Sequence, residues 1–348
     1  MTKSSPGRFF EDFILGETIA HATPRTLTPA DRAFNMALTG SRYALLCSDP
    51  FAQQCGLAAA PFDPLLVFHI VFGKSVPDIS LNAVANLGYA EGRFFEFVYP
   101  GDTLRAFSEI IGLKQTSNGK TGVVTARTRG VNQHGSVVLE YVRWVMVNKR
   151  DVSAPAPREV TPAFASSVAS DKLWLSDRLH FTKYDWTLAG STYALEDYAV
   201  GEKIDHVDGM TVEEAEHQLA TRLYQNTARV HFDALAQSSS RFGKRLIYGG
   251  VAISLARALA FNGLGNAALV LAINAGRHVN PLFAGDTLYA WSEVLDTADL
   301  GSAGALRLRL VATKNRLCED FPYKNEAGEY DPAVVLDFDY WAAIPKRR

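Results

Sequence analysis

The strongest hydrophobic pattern along the chain lies at residues 249–261, GGVAISLARALAF. From Val251 onward, apolar and small side chains recur at helical spacing, and few positions are strongly polar. The pattern predicts a helix that is buried over most of its circumference. Gly263 and Gly265 are expected to end this helix.

A second apolar helix is predicted at residues 63–73, DPLLVFHIVFG. Asp63 suits the N-cap position, Pro64 suits the first helical position, and Gly73 suits the end. His69 falls inside this helix. We expect it to be a core histidine with satisfied hydrogen bonds rather than a ligand.

The two helices belong to an internal duplication that covers nearly the whole chain. Asp63 falls opposite Tyr248 at an offset of 185 residues, and the sequences PGDTLRAFSEI and AGDTLYAWSEV match at an offset of 184. Trp144 falls opposite Trp341 at an offset of 197. The second copy therefore carries a late insertion, interpreted as an exposed loop at residues 318–332.

Each copy predicts the same order of elements. A short helix begins at a Thr-x-x-Asp/Glu sequence, at Thr28 and at Thr211, and precedes the central helix. Strands follow at residues 122–130, 137–147 and 305–313, which are rich in β-forming residues. The pattern predicts an α+β fold in which an antiparallel sheet wraps each long central helix.

The repeat also suggests domain boundaries. A length of 348 residues agrees with about two domains. Residues 1–150 form the first half, residues 186–348 form the second, and the Pro-, Ala- and Ser-rich start of residues 151–185 indicates a linker.

Composition narrows the class of protein. Hydrophobic residues make up 47% of the chain, charged residues 21%, and the net charge is −2, so we expect neither nucleic acid nor an anionic membrane surface as a partner. Cys47, Cys55 and Cys318 form no metal-ligand pattern and suggest a reducing compartment. Without an apolar leader or a run of 18 apolar residues, we expect a cytoplasmic protein.

The start of the second central helix is the first candidate for chemistry. Gly249 and Gly250 have no Cβ to keep a ligand from the backbone, and the first N–H groups of a helix are unpaired. Together with the helix dipole, they could bind the oxygen of a thioester carbonyl. The same two glycines would equally allow a tight turn or close helix–sheet packing.

The sequence YQNTARVHF, just before this helix, resembles the motif Gly-Asp-x-Asn-Pro-x-His of the MaoC-like enoyl-CoA hydratases, which have the hotdog fold. Alignment on His231 places Gln225 at the glycine, Asn226 at the aspartate, Ala228 at the asparagine and Arg229 at the proline. With the duplication, the resemblance implies a tandem (double) hotdog in which the two halves pair sheet edge to sheet edge.

Longer runs, including FFEDFILGETIAHATPRTLT, LYQNTARVHF and AGDTLYAWSE, resemble one group within that family, the mesaconyl-CoA hydratases, also called 2-methylfumaryl-CoA hydratases or β-methylmalyl-CoA dehydratases. These serve the ethylmalonyl-CoA and 3-hydroxypropionate routes. The resemblance implies reversible hydration of mesaconyl-C1-CoA to (2R,3S)-β-methylmalyl-CoA. It implies no metal or redox cofactor, and CoA enters as part of the substrate. A homodimer is also expected.

The resemblance assigns the chemistry to the second half. Asn226 cannot be a base but can orient a water, which leaves His231 as general base and acid. Asp233 could support His231 if the stretch were extended, but it is better explained as a surface or capping residue. The first half has Ser41 and Leu46 at the aspartate and histidine positions, so one active site per chain is expected.

A substrate with a free carboxylate calls for a buried cation. Arg229 is the first candidate and Arg42 and Arg277 are alternatives, although each could equally form a structural ion pair. Tyr248, next to the glycines, completes the predicted substrate site. The predicted residues for the CoA phosphates are Arg241, Lys244 and Arg245.

Two other functions remain possible from the residues alone. An acyl-CoA thioesterase usually needs a carboxylate on the central helix, and none lies between Val251 and Phe261. A non-catalytic acyl-CoA-binding protein is favoured by Asn226 at the aspartate position, and disfavoured by the retained His231 and the two glycines.

Overall fold

Two buried helices, α4 (Pro64–Ser75) and α9 (Gly249–Leu259), run through the core of the protein. The structure is a computed structural model that describes residues 3–347. The other helices are α1 (Pro29–Thr39), α2 (Ala44–Cys47), α3 (Asp49–Gln54), α5 (Trp186–Ala189), α6 (Glu214–Leu223), α7 (Arg229–Phe232), α8 (Ala234–Ser238) and α10 (Phe261–Leu264). Shorter helical turns occupy Phe10–Asp12, Val76–Ser80, Ser170–Lys172 and Leu195–Asp197.

Within residues 3–347, eleven strands form one continuous sheet. The strands are β1 (Thr18–Thr26), β2 (Ala83–Phe94), β3 (Thr103–Gln115), β4 (Thr121–Val131), β5 (Val137–Asn148), β6 (Lys203–Asp205), β7 (Met210–Thr211), β8 (Leu269–His278), β9 (Thr287–Asp299), β10 (Gly304–Lys314) and β11 (Val334–Ile344). Their order is β1-β3-β4-β5-β2-β8-β11-β10-β9-β6, with β7 paired to β9, and every pair is antiparallel. The predicted α+β architecture is confirmed.

The two halves meet edge to edge, as predicted, because β2 of the first half pairs with β8 of the second. Register positions along this junction include Tyr89 opposite Gly276 and Arg93 opposite Ala272. The inner faces of both halves share one apolar cluster that includes the side chains of both central helices. The junction therefore places the first half directly against the start of α9.

Local signals explain where α4 begins. The Asp63 carboxylate accepts a hydrogen bond of 2.8 Å from the Leu65 N–H, and Pro64 occupies the first helical position, both as predicted. The prediction that Gly73 ends the helix is wrong, since α4 continues to Ser75. At Gly73 an added Cβ would lie 1.9 Å from the Tyr224 carbonyl oxygen, so this glycine allows the chain to approach the helix closely.

The second half departs from prediction at two helix ends. Thr211 is the last residue of β7, and Glu213 rather than Thr211 occupies the N-cap position of α6. The capping sequence at Thr28 does begin α1, where the Thr28 N–H donates to the Asp31 carboxylate. Helix α9 ends at Leu259, and Gly263, predicted to end it, has a φ of 101° within the following turn.

The two central helices touch at equivalent positions of the duplication. His69 Nε2 lies 2.9 Å from Ser254 Oγ, and these residues are separated by the 185-residue offset of the repeat. The His69 side chain is fully buried, as predicted for a core histidine. Its Nδ1, however, has no hydrogen-bond partner among the described residues, so the prediction that it is satisfied holds for only one of its two nitrogens.

Residues 151–185 pack along the outer face of the sheet. Phe164 stacks on Trp144 with ring centroids 5.6 Å apart, and the Trp341 indole donates to the Val168 carbonyl oxygen. The loop at residues 318–332 lies between β10 and β11 and covers Trp291, whose indole donates to the Pro322 carbonyl oxygen. Among the helices described, none has the length and apolar character needed to cross a membrane.

Candidate active site

The histidine of the motif lies in α7, which is followed by α8 and then by the exposed turn that leads to α9. His231 Nδ1 lies 2.9 Å from the Leu246 carbonyl oxygen, and a carbonyl can only accept, so Nδ1 carries the proton. The Gln218 side-chain amide donates to the His231 carbonyl oxygen at 2.7 Å and fixes the backbone there. This arrangement leaves Nε2 as the basic nitrogen.

Burial lowers the pKa of His231 to about 4, partly offset by its hydrogen bond to the Leu246 carbonyl. The pKa of His278 is also lowered to about 4, by burial and by the neighbouring His231. Burial likewise lowers the pKa of His217 to about 3. All three imidazoles are therefore neutral at pH 7, and His231 is available as a base without first losing a proton.

The polar residues beside His231 have structural partners. Asn226 is 1% exposed, and its Oδ1 accepts a hydrogen bond of 3.0 Å from the Ala228 N–H, which closes the turn before α7. That bond uses one of the two acceptor positions of the side-chain oxygen, and the amide NH2 is the group of Asn226 that could donate to a water. Asp233 caps α8 by accepting from the Ala236 N–H, so the extended stretch that would place it beside His231 is absent, and capping is confirmed.

The start of α9 is open. The Tyr248 N–H donates to His217 Nε2 at 2.9 Å, and the Val251 N–H donates to the Tyr248 carbonyl oxygen. Among the described backbone hydrogen bonds, none uses the N–H of Gly249 or of Gly250. Because α9 spans 11 residues, these two donors also lie at the positive end of a substantial helix dipole.

Both glycines are sterically required at this helix start. A Cβ added at Gly249 would lie 2.2 Å from the His278 ring, and one at Gly250 would lie 2.4 Å from Tyr248 and 2.7 Å from His69. The sequence left two interpretations of these glycines, close packing or a helix start with free N–H groups. The structure shows both features at the same place.

The equivalent position in the first half is closed. Pro64 has no N–H, and the Asp63 carboxylate occupies the N-terminus of α4, where burial raises the pKa of Asp63 to about 6. Leu46, at the position equivalent to His231, is buried in an apolar cluster. The first half thus lacks both a base and free helix-start donors at this point.

The first half instead supplies a wall of aromatic rings. Tyr248 lies 5.4 Å from His231 and 5.7 Å from Phe72 of α4 between ring centroids. Tyr89 of β2 comes within 3.1 Å of His278 Nε2 through its hydroxyl. Since Tyr89 and Phe72 come from the first half, the cluster around His231 is built from both copies.

His278 was not predicted as a site residue, although a difference between the two copies of the duplication points to it. Arg93 falls opposite Arg277 at an offset of 184, so Phe94, a buried core residue, falls opposite His278. A histidine at a position that holds a core phenylalanine in the other copy indicates that the two copies use this position differently. Because side chains alternate along a strand, the neighbouring Arg277 lies on the other face and is exposed.

The arginines predicted to bind a substrate carboxylate do not provide a buried cation beside His231. Arg229 is exposed, and its guanidinium donates to Asn82 Oδ1 at 3.3 Å. Arg42 lies 4.6 Å from the Phe261 ring, beyond the far end of α9. At 1.5 Å per residue, the length of α9 separates Arg42 from the open helix start.

The residues predicted to bind CoA phosphates surround the exposed turn before α9. Arg241 lies over Phe242, and the Lys244 ammonium lies 4.1 Å from the centroid of Phe283. Arg245 is tied to the Glu214 carboxylate at 2.5 Å and to the Phe232 carbonyl oxygen. Arg241 and Lys244 are exposed in the turn before α9, whereas Arg245 connects α7 to α6.

Comparison with known proteins identifies the family of this chain. The family model for mesaconyl-CoA hydratase matches residues 2–319. The chain belongs to the mesaconyl-CoA hydratase family. Its sequence is 61% identical to the β-methylmalyl-CoA dehydratase of Chloroflexus aurantiacus, covering 99% of both chains, and 62% identical to the mesaconyl-CoA hydratase of Cereibacter sphaeroides, covering 99% of this chain and 100% of that one.

Solved structures agree with this assignment. A putative MaoC domain protein dehydratase from Chloroflexus aurantiacus superposes with a TM-score of 0.98 at 60% identity, covering 100% of both chains. The Rv0216 protein of Mycobacterium tuberculosis, described as a double hotdog, superposes with a TM-score of 0.78 at 26% identity, covering 97% of this chain and 98% of that one. The predicted double-hotdog fold, family and hydro-lyase class are confirmed.

The open helix start gives a first prediction. In a Gly250→Ala variant, the new methyl group would meet Tyr248 and His69, so it should displace the helix start from a bound carbonyl and lower kcat by about 100-fold or more. Gly265→Ala is the control, because its methyl group would lie 3.2 Å from Ser191 Cβ, well away from His231. Equal kcat values in the two variants, measured at matched thermal stability, would contradict an oxyanion role for this helix start.

Proposed function

We propose that this enzyme catalyses the reversible hydration of mesaconyl-C1-CoA to (2R,3S)-β-methylmalyl-CoA. The observation that carries the proposal is the pairing of a neutral His231, whose Nε2 is the basic nitrogen, with an open glycine helix start. The named relatives, 61% and 62% identical over nearly their full lengths, support this substrate. CoA takes part as a portion of the substrate, and we propose no separate cofactor.

In this mechanism, His231 Nε2 accepts a proton from water as the water oxygen bonds to the alkene carbon beside the free carboxylate. The electron pair of the double bond moves toward the thioester carbonyl, whose oxygen becomes negative. The N–H groups of Gly249 and Gly250 stabilise that oxygen. The enolate then takes a proton at the methyl-bearing carbon from the imidazolium, which restores neutral His231 and completes the addition of one water.

Other residues hold this geometry. The bond from His231 Nδ1 to the Leu246 carbonyl keeps the reactive tautomer, and the Asn226 turn sets the position of α7. We propose that the Asn226 amide NH2 can also orient the water. The catalytic centre therefore lies in the second half, with residues 1–150 as supporting half and residues 151–185 joining it to residues 186–348.

We further propose that Arg241 and Lys244 meet the CoA phosphates at the entrance. Homodimer formation, a cytoplasmic location, and the absence of nucleic-acid and membrane partners stay predictions.

The reaction can be tested with purified protein and mesaconyl-C1-CoA. We expect the enoyl-thioester absorbance to fall and the product to gain the mass of one water. Release of free CoA without hydration would instead show a thioesterase. Binding without conversion would show a non-catalytic acyl-CoA-binding protein.

His231 should set both the rate and its pH dependence. Replacing His231 with Ala should lower kcat by about 10²–10⁴-fold because the general base is lost. With the wild-type pKa lowered to about 4, the base stays neutral as the pH falls, so kcat/KM should change little between pH 7.5 and 5.5. A histidine with an ordinary pKa near 6.5 would lose about tenfold over that range.

A matched control for this variant is His206→Gln. His206 is also buried with a pKa lowered to about 4, but it donates to the Asn262 carbonyl oxygen beyond the far end of α9. This variant should keep its kcat per folded molecule, as judged by circular dichroism. Unchanged turnover in His231→Ala would remove His231 from the mechanism.

A further inference from the structure

One fully buried cation near Tyr248 was not predicted from the sequence. Arg143 lies in β5 of the first half and is 0% exposed. Its two terminal nitrogens donate to Ser75 Oγ at 2.9 Å and to Ser80 Oγ at 3.2 and 3.3 Å. Its guanidinium carbon lies 4.2 Å from the centroid of the Phe72 ring.

This cation has no anionic partner. Among residues 3–347, no carboxylate forms an ion pair with Arg143, and the charged or titratable groups that face it are the phenols of Tyr89, Tyr141 and Tyr248. Its Nε has no hydrogen-bond partner in the described part of the protein. Burial of an unpaired charge is costly, and burial lowers the pKa of this guanidinium.

A series of ring contacts connects the unpaired cation to His231. Phe72, which packs on Arg143, lies 5.7 Å from Tyr248, and Tyr248 lies 5.4 Å from His231 between ring centroids. Two aromatic rings thus separate the guanidinium from the base. The Tyr248 hydroxyl is also buried, and it has no hydrogen-bond partner within residues 3–347.

We propose that Arg143 binds the free carboxylate of the substrate at the inner end of the acyl site. This inference rests on the proposed function, because it assigns the substrate's second charge to a residue. With the thioester oxygen at Gly249 and Gly250 and the double bond beside His231, we infer that the carboxylate at the far end of the methyl-branched, four-carbon backbone of the acyl group extends toward Tyr248 and Phe72. The guanidinium Nε and the Tyr248 hydroxyl are donors available to it.

Ser75 and Ser80 act as positioning residues in this arrangement. Both lie at the end of α4 and in the turn after it, and each hydroxyl accepts from the guanidinium. They neutralise no charge, so they orient Arg143 without competing with a bound carboxylate. The charge of Arg143 therefore remains uncompensated until a substrate of the right class binds.

Selectivity follows from that uncompensated charge. A dicarboxylic acyl group supplies the missing anion, whereas an uncharged enoyl group such as crotonyl leaves Arg143 unpaired beside apolar atoms. A site built around a buried charged group rejects a ligand that cannot pair with it, usually by a large factor.

The duplication supplies a matched control residue. Arg257 is also buried without an ion pair among the described residues, and it falls opposite Phe72 at the offset of 185. Its guanidinium carbon lies 4.0 Å from the Tyr43 ring and 5.6 Å from the Tyr340 ring, and Tyr340 falls opposite Arg143 at the offset of 197. The same cation–ring pair therefore occurs in both halves with its members exchanged, but only Arg143 is linked to His231 through Phe72 and Tyr248.

The test compares two substrates and two unreactive ligands. We expect Arg143→Met to lower kcat/KM for mesaconyl-C1-CoA by about 100-fold or more, and to leave kcat/KM for crotonyl-CoA equal or higher, because the unpaired charge is removed. By calorimetry, the wild type should bind succinyl-CoA more tightly than butyryl-CoA, and Arg143→Met should abolish this preference. Arg143→Lys should restore part of it, because Lys keeps the charge but not the bidentate geometry.

Controls separate this inference from folding and from the proposed function. Arg257→Met, compared at matched thermal stability, should retain the preference for succinyl-CoA. Equal losses on both substrates in Arg143→Met, or an unchanged binding preference, would overturn the role of Arg143 even if the wild type hydrates mesaconyl-C1-CoA. If the wild type does not hydrate mesaconyl-C1-CoA, the proposed function fails, while the binding preference still tests the carboxylate site.

Discussion

The close contact between the start of α9 and the first half constrains the rest of the structure. Gly250 lies against His69 of α4, and Gly249 lies against His278, with no room for a Cβ at either position. At the same place, the N–H groups of Gly249 and Gly250 have no backbone partner among the described residues. The contact brings Tyr248, and through it His231, against aromatic side chains of the first half. Catalytic geometry thus depends on how the two halves pack, not on either half alone.

The two halves share one architecture but differ at the positions that matter for chemistry. Asp63 and Pro64 close the start of α4, whereas Tyr248 and Gly249 stand at the equivalent positions and leave α9 open. Leu46 is a core residue where the second half has His231. The packing of the sheets and helices depends only on the apolar pattern, which both copies keep. One copy can therefore retain the active site while the other supports it.

Local signals were sufficient for much of the fold. The N-cap at Asp63, the helix start at Thr28 and the buried stripe of α9 depend on neighbouring residues, so the sequence identified them correctly. At Thr211 the capping pattern failed because the residue pairs in β7 with β9 instead. A local sequence pattern cannot show that a distant strand will form backbone hydrogen bonds with the same residues.

The candidate site was predictable only in part, for the same reason. The motif around His231 and the two glycines are contiguous, and the structure brings them together. Arg143 lies 88 residues before His231 in the chain, in a strand whose sequence looks like ordinary core, and only the pairing of the halves brings it near Tyr248. Arg229 was predicted because it lies two residues before His231, but it is exposed on α7, and Arg277 is exposed on β8.

We propose that each chain has one open helix start that binds a thioester. Isothermal titration of the purified protein with succinyl-CoA tests this directly, because the ligand cannot be hydrated and the stoichiometry per chain is measured. The account predicts one molecule bound per chain of 348 residues. Two molecules per chain would show that the closed start of α4 also binds a thioester, and would contradict the account.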